Sequence, residues 1–310
     1  MDTNVNKCDI IARVVELTSL QHLSRNIKNC IIRDFASYCE RGEFDIAKRI
    51  YDANFMNLSE FNESLFYCFE QVCSNGHIDN IKKMCEIFGL VHRATLVQPA
   101  NVFKKECMCG RLEVAQYIYS VFDLTQPIDR VKIRKGFIFA CKNNHLTVAR
   151  YLHETFNFIQ QDDKADIDEA FIWSCQYQNL QVAEWIGATF AMDHNIERDF
   201  VTICNAFKCA CAFNALDAVY WLYDRFIANE LRIVFLFKID EEAFCIACIN
   251  GHLEIAQWLH KTFKMSRAIA LSCFSYDKCN ATYKHHFLQL PQNIYDCPRV
   301  MQWLYNTFLK

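Results

Sequence analysis

The chain repeats itself every 34 residues or so, and that period constrains its fold more than any other feature. The segments NGHIDNIKKM, CGRLEVAQYI, NNHLTVARYL, YQNLQVAEWI and NGHLEIAQWL align on one apolar anchor. The anchors are Phe44, Ile78, Leu112, Leu146, Leu180, Leu216 and Leu253, at successive spacings of 34, 34, 34, 34, 36 and 37. A last half-unit, PRVMQWLYNTF, follows a longer insertion. A repeat of this length is one supersecondary unit that cannot bury its apolar face alone, so neighbouring units must stack to make a core.

Columns counted from the anchor are sharper than the segments. Nine positions before it stand Phe35, Phe69, Phe103, Phe137, Phe171, Phe207 and Phe244; five before it stand Cys39, Cys73, Cys107, Cys141, Cys175, Cys211 and Cys248. Ten after it come Phe88, Phe122, Phe156, Phe190, Phe226, Phe263 and, in the half-unit, Phe308, with Asn54 the exception in the first unit. Apolar or small residues at −9, −6 and −5 make one helical stripe, and those at 0, +2, +3, +6 and +10 make a second. Between them, at −2, sit Gly42, Gly76, Gly110, Asn144, Asn214 and Gly251, residue types that tolerate the positive φ of a tight corner, and only Gln178 breaks that column. The spacing predicts a first helix of about two and a half turns, a corner and a slightly longer second helix. With Gly at 7 and Pro at 4, a many-stranded fold lacks its turn-formers, and an all-α chain is expected.

Tetratricopeptide units share this length but place glycine inside the first helix, about twelve residues before a small alanine. Here the corner glycine precedes the alanine by five, as in Gly110 to Ala115 and Gly251 to Ala256. The string Ala247-Cys248-Ile249-Asn250-Gly251-His252-Leu253-Glu254-Ile255-Ala256 resembles the ankyrin core "AAxxGHLEVV", and six other units match it more loosely. The resemblance spans roughly residues 31–308. It is similar in tone to the divergent ankyrin arrays abundant in large DNA viruses of protists and in protists. It implies an ankyrin-like solenoid of stacked helix-turn-helix repeats that works as a protein-interaction scaffold. The expected layout is a capping helix region at 1–30 (Ile10, Ile11, Val14 and Leu17 share a face), seven repeats over 31–263, and an irregular segment with a capping half-repeat over 264–310. The Thr-Pro-Leu-His opening of ankyrin units is absent. Connections such as Asn157 to Glu169, with Asp162, Asp163, Asp166 and Asp168, read as polar loops.

The net charge of −3 gives no electrostatic footprint for nucleic acid. Uninterrupted apolar stretches are far shorter than the ~20 residues that span a bilayer, and the first thirty residues are too polar for a signal-peptide core. A monomer in the cytoplasm, or in the host cytoplasm for a viral chain, is expected. On that reading the 18 cysteines are reduced thiols. The seven at −5 occupy the slot where ankyrin units carry alanine and read as small core residues. Stacked units stand about 8–10 Å apart, beyond the ~7 Å Cα limit of a disulfide.

Two cysteine and histidine sets have weak zinc spacing: Cys245, Cys248 and His252, and Cys273, Cys279, His285 and His286. The repeat columns already explain Cys248 and His252; the second set lies outside them and leaves a zinc-stabilised module as an alternative, but neither set has a second C-x-x-C knuckle, and no metal and no cofactor is expected. Phosphate-binding, zinc-protease and nucleophile-elbow motifs are missing, and no enzymatic role is expected. The basic run Arg130, Lys132, Arg134 and Lys135 reads as a solvated loop. Leu288 to Ile294 faintly resembles the start of an F-box, which would make the C-terminal segment a recruiter of ubiquitin-ligase machinery.

Function in such an array lies on the concave face. With −9, −6 and −5 buried, helical geometry puts −7, −4 and −3 on the opposite side of the first helix. Those positions hold Ser37, Glu40, Gln71 and Ser74, then Lys105, Met108, Phe139, Lys142, Trp173, Gln176, Tyr177, Ile246 and Ile249. From the fourth unit on they turn aromatic and aliphatic. They are expected to form an exposed partner-binding groove, unless side-by-side packing covers it.

Overall fold

The computed structural model describes residues 25–52, 59–93, 98–159, 162–192, 196–228, 239–275 and 297–309. Every regular element among them is helical, and no strand occurs there. In chain order the helices are α1 (Arg25–Glu40), α2 (Phe44–Asp52), α3 (Ser59–Ser74), α4 (Ile78–Phe88), α5 (Pro99–Met108), α6 (Leu112–Val121), α7 (Pro127–Lys142) and α8 (Leu146–Phe156). They continue with α9 (Lys164–Gln176), α10 (Leu180–Thr189), α11 (Ile196–Ala212), α12 (Leu216–Leu222), α13 (Ile239–Ile249), α14 (Leu253–Phe263), α15 (Arg267–Ser275) and α16 (Pro298–Leu304). The chain divides into two compact units, 1–136 and 137–310. In the first, α1 packs on α3 and α3 on α5, each carrying its own second helix; in the second, α9, α11, α13 and α15 pack in succession.

Each hairpin is built around its corner. Gly42, Gly76, Gly110, Asn144, Gln178, Asn214 and Gly251 all have positive φ, so Gln178, the break in the sequence column, takes the same backbone as the glycines. In six of the seven hairpins the corner N–H donates to the carbonyl of the column cysteine, as from Gly42 to Cys39 (3.0 Å), Gln178 to Cys175 (3.3 Å) and Gly251 to Cys248 (3.1 Å). The next N–H reaches one residue further back: Glu43 to Tyr38 (2.9 Å), His145 to Ala140 (2.8 Å) and His252 to Ala247 (2.9 Å). This pair of bonds closes the helix in the Schellman manner and fixes the spacing of three between cysteine and corner.

The core follows the columns. All seven phenylalanines at −9 and all seven cysteines at −5 are fully buried, as are Ala47, Ile81, Ala115, Ala149, Ala183, Val219 and Ala256 at +3. The anchors do less than expected: Phe44 is buried, but Ile78, Leu112, Leu146, Leu180, Leu216 and Leu253 are only half-buried. The anchor is the first residue of its helix, beside the corner, so part of its side chain faces solvent.

Successive hairpins are joined by aromatic contacts. In the first unit Phe35 meets Phe88 at 5.9 Å and Phe69 meets Phe122 at 6.0 Å, both edge-to-face. In the second, Phe171 meets Trp221 at 6.1 Å and Phe226 at 6.2 Å, and Phe244 meets Trp303 at 6.2 Å and Phe308 at 6.3 Å. The ring at −9 thus receives the rings at +5 and +10 of the following hairpin, and each such pair adds about 0.5–1.5 kcal/mol beyond its buried area. α16 and its wider last turn, Tyr305–Leu309, take part as a second helix in register.

Three expectations need correction. First helices are as long as the second or longer: 16 residues in α1, α3 and α7, 17 in α11, 13 in α9, 10 in α5 and 11 in α13, against 9 to 11 in the second helices α2, α4, α6, α8, α10 and α14. The basic run 130–135 lies inside α7 rather than in a loop, because Pro127 opens the helix and the Asp129 carboxylate accepts the Gln126 N–H at 3.0 Å. Asp166 and Asp168 likewise lie in α9. There Lys164 bridges Asp168 (2.8 Å) to the fully buried Asp199 of α11 (3.1 Å), which is also held by Arg198. Ile10, Ile11, Val14 and Leu17 of the expected cap lie outside the described residues, and Arg25 to Cys30 already belong to α1.

Candidate interaction surface

The face of the first helices away from the core carries a continuous run of rings in the second unit. Phe139 near the end of α7 meets Trp173 of α9 edge-to-face at 5.9 Å. Trp173 meets Tyr177, one turn on, at 6.4 Å, and Tyr177 meets Phe213, just beyond α11, at 6.0 Å. Lys142 lies over this run, its Nζ 3.9 Å from the Trp173 ring centre and 4.9 Å from that of Tyr177. Phe139, Lys142, Trp173 and Phe213 are half-buried and Tyr177 is 43% exposed. The arrangement is a four-ring ladder across three hairpins bearing one ammonium, a surface with large rigid contact area and a single positive charge.

Of the positions on the outer side of the first helices, the structure brings Phe139, Lys142, Trp173 and Tyr177 together, with adjacent rings closer than the stacking step of about 8–10 Å. Helical arithmetic missed Phe213, which shares the −3 offset of Tyr177 and could have been found from it. Gln176 does not join the surface: it is 4% exposed. Ile246 and Ile249 are buried at 6% and 2%, because α13 from Ala243 onward is packed by α11, α14 and α15. In the first unit Lys105 is ion-paired to Glu70 at 3.1 Å and Met108 is half-buried.

The zinc-spaced residues have other partners. Among the described residues no group of three or more histidine, cysteine or carboxylate side chains converges as metal ligands do. His252 Nε2 donates to the Ala212 carbonyl at 2.8 Å, at the open C-terminal end of the preceding first helix. Asn179 fills the same offset and donates to Cys141 (3.1 Å) and Lys142 (2.6 Å) carbonyls, and the Cys297 thiol reaches Ile249 O at 3.5 Å. This column therefore caps the neighbouring hairpin, satisfying carbonyls that a helix end leaves open. Burial lowers the affinity of His252 for a proton, partly offset by that hydrogen bond. Cys279, His285, His286 and the F-box-like stretch 288–294 lie outside the described residues.

The column thiols are chemically quiet. Burial pushes Cys73, Cys107, Cys141, Cys175 and Cys211 well above the ordinary thiol value, so each is a protonated, apolar packing group at neutral pH. No helix among the described residues is long and apolar enough to cross a membrane. Searches of protein-family models, of curated proteins and of solved structures found no match to this chain.

Proposed function

We propose that this chain is a non-enzymatic protein-interaction scaffold, an ankyrin-like array that binds a protein partner through the ladder of Phe139, Trp173, Tyr177 and Phe213 with Lys142. The observation that carries the reading is that these rings lie outside the hairpin core. The hairpin core is built from the columns at −9, −5, +3 and +6, while the ladder stands on the other side of the same helices and remains partly open. A half-open aromatic surface on rigid helices is the composition from which interface hot spots are made. Lys142, placed on the rings and with no carboxylate among the described residues bridging it, favours an approaching segment that pairs a carboxylate with an apolar side chain.

The test places a photo-crosslinking amino acid at Tyr177 in the full chain, inside the cell that makes it. The reading expects one dominant protein adduct that disappears in the Phe139→Ala, Trp173→Ala background. A smear of abundant proteins, or an adduct indifferent to that double change, contradicts it.

A further inference from the structure

The repeat explains the cysteines of the −5 column but not Cys245 or Cys273. Cys245 lies on α13, three residues before column Cys248, and Cys273 lies on α15, beyond the seventh repeat. The column reading predicts thiols kept apart by the stacking distance. These two are not: Cys245 Sγ and Cys273 Sγ are 3.1 Å apart, on neighbouring helices, both buried at 3% and 1%. The third sulfur of the set, that of Cys248, is a hydrogen-bond neighbour of Cys273, and Ser272 Oγ lies 3.5 Å from Cys245 Sγ.

We propose that Cys245 and Cys273 are a disulfide-forming pair, closed by a small neutral peroxide, that fastens α15 to α13. A disulfide needs its sulfurs about 2.05 Å apart, and two thiols already 3.1 Å apart on packed helices need to close by only about 1 Å to reach it. The chemistry balances in two steps. One thiol, as its thiolate, attacks an oxygen of hydrogen peroxide; the O–O bond breaks, a sulfenic acid forms, and the departing hydroxide leaves as water with the thiol proton. The second sulfur then attacks the sulfenic sulfur, displacing its hydroxyl as a second water and forming the S–S bond. Two electrons pass from the cysteines to the peroxide. The hydrogen bond to Cys273 and burial hold Cys245 protonated; at Cys273 the same bond pulls the other way, but contact with Cys248 and burial outweigh it, so the pair is slow to react at rest, and its burial excludes bulky oxidants.

The link would tie down the helix that occupies the first-helix place after α13, so its consequence is a more firmly held C-terminal end. A second thiol contact, Cys39 with Cys68, lies in the other unit and is an internal comparison.

The experiment treats the folded full chain, with the exposed Cys30 and Cys109 changed to serine, with hydrogen peroxide, and maps it by non-reducing peptide mass spectrometry. The expected result is a linked peptide joining Cys245 to Cys273, about 2 Da lighter than the two peptides and reversed by dithiothreitol. Its melting temperature should exceed that of the reduced chain. Cys248→Ala should retain the link, and Cys245→Ala and Cys273→Ala should each abolish it along with the thermal gain. A link at Cys39–Cys68 or Cys245–Cys248 in its place overturns the assignment, as does no linked peptide at all. An unchanged melting temperature in the linked chain overturns the fastening role. If Cys273→Ala fails to fold by circular dichroism, mapping of the Cys248→Ala chain still decides the pairing.

Discussion

A thiol in a helix interior is a small apolar side chain, and its proton decides whether it is anything more. Cys141 is fully buried with its thiol pushed well up by desolvation, so its contribution is volume. Cys141→Ala should therefore shift the melting temperature only slightly. Cys141→Asp should cost about 3 kcal/mol or more, or unfold the chain, because a carboxylate has no partner there. Equal melting curves for the two would refute the packing role. Glu106 gives the residue scale a pH dependence. It is fully buried, Arg111 holds one oxygen at 3.0 Å, and the other has no hydrogen-bond partner among the described residues. Burial raises its proton affinity and Arg111 only partly offsets this. The folded chain thus binds the proton more tightly than the unfolded one. The stability this gives is present below the ordinary carboxylate value and is lost as pH rises through the raised one. Glu106→Gln should flatten that part of the profile, matching the wild type in acid and melting higher at neutral pH. A variant that melts lower by the same amount at every pH would show that the charge itself is not the cost.

At the scale of elements, the corner governs each hairpin. Gly89 and Gly251 both have positive φ, but a Cβ at Gly89 would meet open space, whereas one at Gly251 would stand 2.9 Å from Cys297 Sγ. Gly89→Ala should cost about 1 kcal/mol, the backbone penalty alone, and Gly251→Ala clearly more, read from denaturant unfolding. Equal costs would mean that Cys297 does not sit tightly on the corner. The corners, the phenylalanines and the cysteines were legible in the sequence because one physical demand recurs at one offset. Gln178 shows the limit in a favourable sense: the residue type broke the column while the backbone kept it. What could not be read is what happens only once. The burial of Ile246 and Ile249 depends on α15, which lies outside the period. The start of α9 depends on Lys164 meeting Asp168 nearby and Asp199 thirty-five residues away, a tertiary pairing that made Asp162 to Asp168 look like a plain polar loop. The rings at +5 were in view but were not assigned to the joints between hairpins that they form.

For the whole molecule the division that matters is on α7 and α9, where one side of the helix holds the fold and the other stays partly open. α9 shows the division over two residues: Phe171 is fully buried against Trp221 and Phe226, whereas Trp173, half-buried, faces Phe139, Lys142 and Tyr177. Truncating a core phenylalanine removes about 3–5 kcal/mol. Truncating a half-covered ring removes less, but at the centre of an interface it costs about 2 kcal/mol of binding or more. The most direct measurement compares Phe171→Ala with Trp173→Ala in the full chain, reading both the melting temperature and the crosslinked adduct formed from position 177. The account predicts that Phe171→Ala melts far below the wild type, whereas Trp173→Ala remains folded, melts close to it and loses most of the adduct. If Trp173→Ala instead melts as low as Phe171→Ala, or keeps its adduct at wild-type yield, the ladder is part of the core and the central claim fails.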